Sequence, residues 1–239
     1  MNKWDELTAL GRSTGGPSSG EGLGRRQVIG VDVSAVRPQR LLPLSFLAAK
    51  VAEPSCVARN LRFTSVDFSN CRLDRALFRS CTFTDCTFKK CSFRNGGFFK
   101  CSMVDSRFED SDFRDCAISE GCEFENVCFI NSNFARSGML NSKLSASSFN
   151  RCNLKKFKFV STSLSRCSFI GLLDETEFLG VTDNQHERPP ELTQVDFSSA
   201  TLRHVRIFRM NSDDCLFPDD PEIWRPTRAD LMAAIAHLE

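Results

Sequence analysis

The sequence contains no tyrosine, although 22 of its 239 residues are phenylalanine. A phenol hydroxyl needs a hydrogen-bond partner, so rings without one suit fully apolar sites. Long apolar runs are also missing, because no stretch approaches the roughly 20 residues of a membrane-spanning helix. The first residues lack the basic and then apolar order of a secretory signal. These absences argue against a membrane protein and predict a cytoplasmic chain with a large apolar core.

The chain also lacks a large net charge. The formal charge is +1, which argues against both a uniformly basic nucleic-acid binder and a strongly acidic mimic of DNA. The two signs are unevenly distributed along the chain. Residues 58–170 carry 18 Lys and Arg against 11 Asp and Glu, whereas residues 171–239 carry 6 against 14. The sequence therefore predicts a basic shaft followed by an acidic C-terminal third.

Motifs for catalysis are scarce. The three histidines, His186, His204 and His237, lie in unrelated segments, and no Ser or Cys beside them is marked as a nucleophile. The glycines near the N-terminus match neither a phosphate-binding loop nor a dinucleotide-binding turn. The cysteines recur with the repeat, whereas zinc sites prefer shorter paired spacings and ligands that are free to converge in a tetrahedron. We therefore predict no enzymatic activity, no cofactor and no metal site.

A five-residue period dominates what is present. Residues 81–95 read CTFTDCTFKKCSFRN, with Cys first and Phe third in each block. Neither a helix nor a strand repeats its face every five residues, so the chain must turn once per repeat. The ring position, which we call the centre, recurs from Ala58 to Ile118, from Phe124 to Phe169 after one extra residue near Gly121, and from Phe197 to Phe217.

The residue two places before each centre is a second inward site, and it is small in most repeats. This site holds eleven of the twelve cysteines, and Cys128 is the exception. We expect these thiols to be reduced and buried, since one explanation then covers all eleven positions. Phe157 is a bulky residue at a small site, which predicts a local bulge. The eleven are Cys56, Cys71, Cys81, Cys86, Cys91, Cys101, Cys116, Cys122, Cys152, Cys167 and Cys215.

The blocks VDFSN, CRLDR, SDFRD, SNFAR and CNLKK resemble the pentapeptide-repeat family. That resemblance implies an all-β solenoid, a right-handed four-sided β-helix with four repeats per coil. The 28 repeats then give about seven coils. The predicted domains are an N-terminal extension with a flexible linker and cap (1–55), the β-helix (56–217) with a loop insertion (171–194), and a C-terminal helix (218–239).

Both ends suit the role of caps, because an open β-helix exposes unpaired strand edges. NKWDELTAL, residues 2–10, favours a short helix, RQVIGVDVSA alternates like a strand, and LSFLAAKV favours an apolar helix over the first coil. Near the C-terminus, Thr227 and Asp230 resemble a capping box. The apolar stripe of the following helix either seals the last coil or pairs two subunits in a homodimer. It consists of Leu231, Ile235 and Leu238.

These features predict a non-enzymatic scaffold that binds a protein partner through the rod surface and the 171–194 loop. Tryptophan is enriched in the binding hot spots of interfaces. Charged residues near the loop are further candidates for partner contacts. The candidate partner-binding residues are Trp4, Lys155, Lys156, Lys158, Glu175, Glu177, His186 and Trp224.

Three alternative functions remain open. AISEGCEFE and a terminal helix after the repeats are similar to Qnr-type proteins. This resemblance implies DNA mimicry that protects bacterial DNA gyrase or topoisomerase IV from inhibitors, and so antibiotic resistance. A toxin-immunity or defence-system subunit would use the loop or the N-terminal segment. Nucleic-acid binding by the basic shaft is the least favoured, because no exposed aromatic platform accompanies its lysines.

Overall fold

A computed structural model describes residues 8–12, 26–29, 56–180 and 190–219. Within them, 23 short strands pair in parallel to form sheets of eight, eight and seven strands. Stacked strands lie about four repeats apart along the sequence, as in the register of Phe68 with Phe88 and of Phe88 with Phe108. Four repeats therefore make one turn, and the chain forms the predicted β-solenoid, with about six turns where the sequence analysis expected about seven.

The coil has four sides, which we number 1 to 4 in the order in which the chain visits them from Cys56. Side 1 contains β2 (Cys56–Arg59), β5 (Ala76–Arg79), β8 (Gly97–Phe99), β11 (Ala117–Ser119), β14 (Gly138–Leu140), β17 (Lys158–Val160), β20 (Glu177–Leu179) and β23 (Arg206–Phe208). Side 2 contains β3 (Arg62–Thr64), β6 (Thr82–Thr84), β9 (Ser102–Val104), β12 (Glu123–Glu125), β15 (Lys143–Ser145), β18 (Ser163–Ser165) and β21 (Leu192–Thr193).

The remaining sheet starts on side 3 and ends on side 4. It contains β1 (Arg26–Ile29), β4 (Val66–Ser69), β7 (Thr87–Lys89), β10 (Arg107–Glu109), β13 (Cys128–Ile130), β16 (Ser148–Asn150), β19 (Ser168–Asp174) and β22 (Ala200–Arg203). In the earlier turns side 4 is held by single parallel bridges, which connect Arg72, Ser92, Asp112, Asn133 and Asn153 in a column.

Corner residues produce the five-residue period. At nearly every fifth position the chain has a positive φ, for example 53° at Asn70 and 49° at Asn131. Asn and Asp tolerate this left-handed region better than most residues, and both are frequent at the corners. The corner N–H groups bond to the next turn, as Asn131 does to the carbonyl of Asn150 at 2.9 Å. Each turn is thus fastened to its neighbours.

The predicted centres form the core. Their phenylalanine rings stack along the axis, and the ring of Phe88 lies 4.5 Å, centroid to centroid, from those of Phe68 and Phe108. Rings on adjacent sides meet edge to face, as Phe88 and Phe93 do at 5.7 Å. A hydroxyl on such a ring would meet only other rings, which accounts for the absence of tyrosine.

The second inward site is also confirmed. Ten of its eleven cysteines are buried and Cys215 is half-buried, whereas Cys128 faces outward toward Ser148. None of the twelve cysteines forms a disulfide. Burial raises the pKa of the Cys152 thiol to about 12, so this sulfur is a poor source of reactive thiolate.

The bulge predicted at Phe157 does not form. The following strand, β17, keeps its register with β14 in the turn before. The N–H of Phe157 donates to Leu154 O at 3.0 Å, and the N–H of Ala76 makes the equivalent bond to Leu73 O in an earlier turn. The ring fits because its column neighbours, Ser137 and Thr176, are small. It then packs edge to face against Phe134 at 5.7 Å.

The ends agree with the cap predictions where the structure describes them. Residues 8–12 are helical, and a Cβ added at Gly11 would lie 2.7 Å from a ring carbon of Phe63, so this helix lies against the first turn. Strand β1 pairs with β4 and extends the side 3 sheet. The predicted cap helix LSFLAAKV and the C-terminal helix with Leu231, Ile235 and Leu238 lie outside the described residues. The homodimer, the seven coils and the domain boundaries stay predictions.

The predicted 171–194 loop is shorter in the structure. Residues 171–180 belong to the wall of the solenoid, where Leu173 and Phe178 fill the core, and Leu192 does the same after residues 181–189, which lie outside the described part. These positions escaped the sequence analysis because the step from Phe169 to Leu173 is four residues instead of five. Among the described segments, no helix is long and apolar enough to cross a lipid bilayer.

Candidate functional site

The shape of the coil changes at Gly171. In earlier turns side 3 is a strand and side 4 a single bridge, whereas after residue 168 the single bridges lie on side 3, between Ser168, Asp196 and Leu216. Side 4 then carries the strand pair formed by residues 171–174 and β22. The chain passes this corner inside the continuous strand β19, with φ of 107° at Gly171. The step from the centre Phe169 to the centre Leu173 is four residues instead of five, so the separate turn residue of the other corners is absent here.

A groove of about 550 Å³ opens on the surface beside this corner. It crosses three adjacent turns, since its lining residues come from the turns of Arg151, Leu172 and Arg203. Large apolar side chains are exposed here: Leu172 is 45% accessible and its neighbour Ile170 is 40% accessible. We call this feature the Gly171 groove. Its lining residues are Arg151, Cys152, Asn153, Lys155, Gly171, Leu172, Asp174 and Arg203.

One buried carboxylate organises the charge in the groove. Asp174 accepts two hydrogen bonds from the guanidinium of Arg203, at 2.8 and 2.9 Å, and lies 3.1 Å from Lys155 Nζ. The hydrogen bonds from Arg203, and then the bond from Lys155, hold the pKa of Asp174 well below its ordinary value. The side chain of Arg151 makes no hydrogen bond or ion pair with any described residue. The lining therefore carries three cations and one anion.

Most of the predicted charged site residues do meet, but as partners of opposite sign. Lys158 Nζ lies 2.7 Å from a carboxylate oxygen of Glu177, and Lys156 Nζ lies 3.5 Å from Glu175. Arg206 bonds Glu177 from the following turn at 2.6 Å. Three stacked turns thus alternate between basic, acidic and basic residues. Such exposed pairs each contribute only about 0–1 kcal/mol to stability. They offset the positive charge of the lysine cluster, which consists of Lys155, Lys156 and Lys158.

The other three predicted contacts cannot be placed. His204, which was not among the predicted contacts, is largely exposed, and its Nδ1 lies 4.0 Å from Asp174. Trp4, His186 and Trp224 lie outside the described residues, so their role in partner binding stays a prediction. Arg151, Ile170, Leu172 and Arg203 were missed by the sequence analysis, and the four-residue step after Phe169 is the signal that could have found them.

Side 2 is the acidic side of the rod. Its described residues carry seven Asp and Glu against three basic residues, Arg62, Lys143 and Arg166. Glu123 lies 3.4 Å from Lys143 Nζ. Five others make no ion pair with any residue in the described ranges: Asp105, Glu125, Glu191, Asp213 and Asp214.

The acids of side 4 contrast with those of side 2. Asp112 pairs with Arg114 at 2.7 Å, and Asp115 pairs with Arg136 at 2.7 Å. The charge of the rod is therefore divided between its sides as well as along its length.

The Asp174 carboxylate should make the stability of the last turns depend on pH. Because its folded pKa is lowered, its contribution is complete above the unfolded value, near 4, and is lost as the pH falls through the folded value. We expect Asp174→Asn to be less stable than the wild type at pH 7, with the difference narrowing below about pH 4. Urea denaturation across this range measures it. A difference that stays constant down to pH 2 would contradict the assignment.

Chemistry beyond charge is sparse in the described ranges. They hold no group of three or more His, Cys, Asp and Glu side chains placed to bind a metal ion. The candidate site therefore combines an apolar and cationic groove with a predominantly acidic side elsewhere on the rod.

Comparison with known proteins agrees with this architecture. The family described as pentapeptide repeats matches residues 60–95, in eight copies. No curated protein sequence matches the chain significantly. Among solved structures, a trypsin-treated variant of QnrB1, a plasmid-mediated fluoroquinolone resistance protein, is 15% identical. The match covers 63% of this chain and 81% of that one, with a TM-score of 0.39.

HetL, a pentapeptide-repeat protein involved in heterocyst differentiation regulation from the cyanobacterium Nostoc sp. strain PCC 7120, is 8% identical. The match covers 73% of this chain and 94% of HetL, with a TM-score of 0.35. Residues 60–95 match the pentapeptide-repeat model and the coil closes in four five-residue steps, so the chain carries pentapeptide repeats that form a parallel β-solenoid.

Proposed function

We propose that this protein is a non-enzymatic scaffold that binds a protein partner through the rod surface at the Gly171 groove and the adjoining 171–194 segment. The exposure of Leu172 and Ile170 beside the groove is the observation that carries this proposal. Large apolar side chains exposed together at a concave, charged surface are typical of interaction sites. Elsewhere on the described rod, the other large apolar residues with comparable exposure are Phe208 and Leu216, near its C-terminal end.

The rigidity of the rod supports the same function. Each turn is hydrogen-bonded to its neighbours on every side, so the groove residues are held by backbone that does not rearrange on binding. A preorganised surface loses little conformational entropy when a partner docks. A solenoid therefore suits recognition better than it suits the loop movements of many enzymes.

A second candidate function is protection of a type II topoisomerase by DNA mimicry, and the acidic side 2 favours it. Its described turns carry seven carboxylates against three basic residues, and Asp85 and Asp105 occupy the same corner in consecutive turns, which lie about 4.8 Å apart. Such an acidic side would be attracted to a DNA-binding groove. Nucleic-acid binding by the lysine cluster has less support, because Asp174, Glu175 and Glu177 lie within ion-pair distance of those lysines.

One cross-linking experiment tests both candidates. A photo-crosslinking amino acid is placed in the full chain at Leu172 in the groove, at Thr84 on side 2, or at Asn70, an exposed corner of side 3 in the first turns of the rod. Each variant is irradiated in lysate of its own host, and the adducts are identified by mass spectrometry. The scaffold proposal expects a specific protein adduct from position 172 and little from position 70.

The pattern of adducts separates the outcomes. A topoisomerase subunit captured from position 84 supports the second function and places its contact on side 2. The same adducts at equal yield from all three positions would mean random collision and would contradict both functions. An absence of protein adducts from positions 172 and 84 would also contradict both.

A further inference from the structure

We propose that the Gly171 groove binds a short acidic peptide segment of the partner, in which an aliphatic side chain lies next to carboxylates. This inference rests on the proposed function and names the chemistry of the partner. The groove combines three features in one place: cations with unused donors, exposed aliphatic side chains, and a concave surface that crosses three turns.

The unused donors point to a carboxylate ligand. Arg151 has no side-chain partner among the described residues. Arg203 donates from Nε and from one terminal nitrogen to Asp174, so its other terminal nitrogen stays available. Guanidinium groups match carboxylates in a two-point geometry. With one buried anion against three cations, the lining favours an occupant with negative charge.

The apolar part limits the choice of ligand. Leu172 lies in the groove lining and Ile170 lies on the same strand just before Gly171, each with two fifths or more of its surface in water. An aliphatic side chain of the ligand would remove this surface from water, which contributes to binding in proportion to the area buried. A free carboxylate or an inorganic anion would leave that surface exposed.

The groove is less suited to nucleic acid. Its lining contains no aromatic side chain on which a base could stack. Three turns span two inter-strand steps, about 10 Å, which is the length of about three extended residues. The occupant is therefore a short linear stretch, with carboxylates on either side of the aliphatic residue.

A fluorescent synthetic peptide tests the inference on the full chain. The probe has the sequence Glu-Asp-Glu-Leu-Glu-Asp, and binding is measured by fluorescence anisotropy. Two control peptides replace the leucine by serine or all the acids by their amides. We expect Arg151→Glu and Leu172→Ser each to weaken binding of the acidic probe about tenfold, the loss for one charge-assisted or one buried apolar contact. Neither change removes an ion pair of the described residues.

A matched control is Lys90→Glu. Lys90 lies in the same column of corners as Arg151, three turns away, is exposed, and makes no ion pair with a described residue. Binding by this variant should equal that of the wild type. Thermal unfolding of all variants, followed by circular dichroism, shows whether each remains folded.

The outcomes separate failure of this inference from failure of the proposed function. If the wild type does not bind the probe, or if Lys90→Glu weakens binding as much as Arg151→Glu does, the acidic-peptide inference is overturned. The scaffold function would still stand on a protein adduct at position 172. If that position instead cross-links to another part of this same chain, the occupant is internal, and the inference of a partner peptide is overturned as well.

Discussion

Replacing Phe88 by aspartate is expected to unfold the turns around it. Phe88 is 1% exposed and is stacked between Phe68 and Phe108, with Phe83 and Phe93 edge-on at 5.7 Å. Loss of such a ring costs about 3–5 kcal/mol, and a carboxylate on the axis has no cation or water to compensate it. We expect a total above about 5 kcal/mol, which exceeds what a few turns can absorb.

Hydrogen exchange followed turn by turn measures this result. Because each turn contacts only its neighbours, protection should be lost around residues 66–110 before it is lost around residues 140–180. The control is Phe88→Leu, since leucine already occupies centres such as Leu144 and Leu154. That variant should lose only about 1–2 kcal/mol, the value of two or three methylenes. If the aspartate variant exchanged like the wild type, the inward face would be wrongly assigned.

Replacing Gly180 by alanine is expected to detach the last turns. An added Cβ would lie 2.0 Å from the carbonyl oxygen of Arg209, which is backbone and cannot move aside alone. The N–H of Gly180 donates to Phe208 O at 2.7 Å, so separating the strands to relieve the clash breaks this bond. Overpacking costs about 1–3 kcal/mol when side chains can adjust, and we expect at least the upper end here.

The effect should be local. Residues 190–217 are expected to lose exchange protection or become sensitive to protease, while residues 56–160 keep theirs. The matched control is Gly121→Asn, because Gly121 has φ of 82° with no atom within 4 Å of an added Cβ, and asparagine tolerates that backbone. Equal protection of residues 190–217 in both variants would show that β20 and β23 are not packed as described.

Much of the fold could be predicted because it depends on one short pattern. The centres from Ala58 to Phe169, the shift at Gly121 and the inward cysteines all follow from the five-residue period, and the structure confirms each of them. The pattern works because every inward side chain meets the same kind of neighbours in the turns above and below. The type of residue at a centre therefore predicts directly that its side chain is buried.

The groove could not be predicted in the same way. The groove lies where the corner is shifted by one residue. Counting in steps of five fails at the four-residue step after Phe169, so the residues directly after that step are not assigned to the solenoid. The pairing of Lys156 with Glu175 and of Lys158 with Glu177 was also hidden. These partners are 19 residues apart in sequence and become neighbours only when the turns stack. Surface charge on a solenoid is decided by residues one turn away, which a linear count cannot show.

The missing residue at Gly171 breaks the translational symmetry of the rod. A surface built from equal steps offers a bound molecule one equivalent position per turn, and it does not favour any of these positions over the others. The four-residue step makes this corner unlike the neighbouring five-residue steps, and it does so without adding a domain or a long insertion. It distinguishes one position along a repetitive surface, so a molecule that recognised this step would have a single register on the rod.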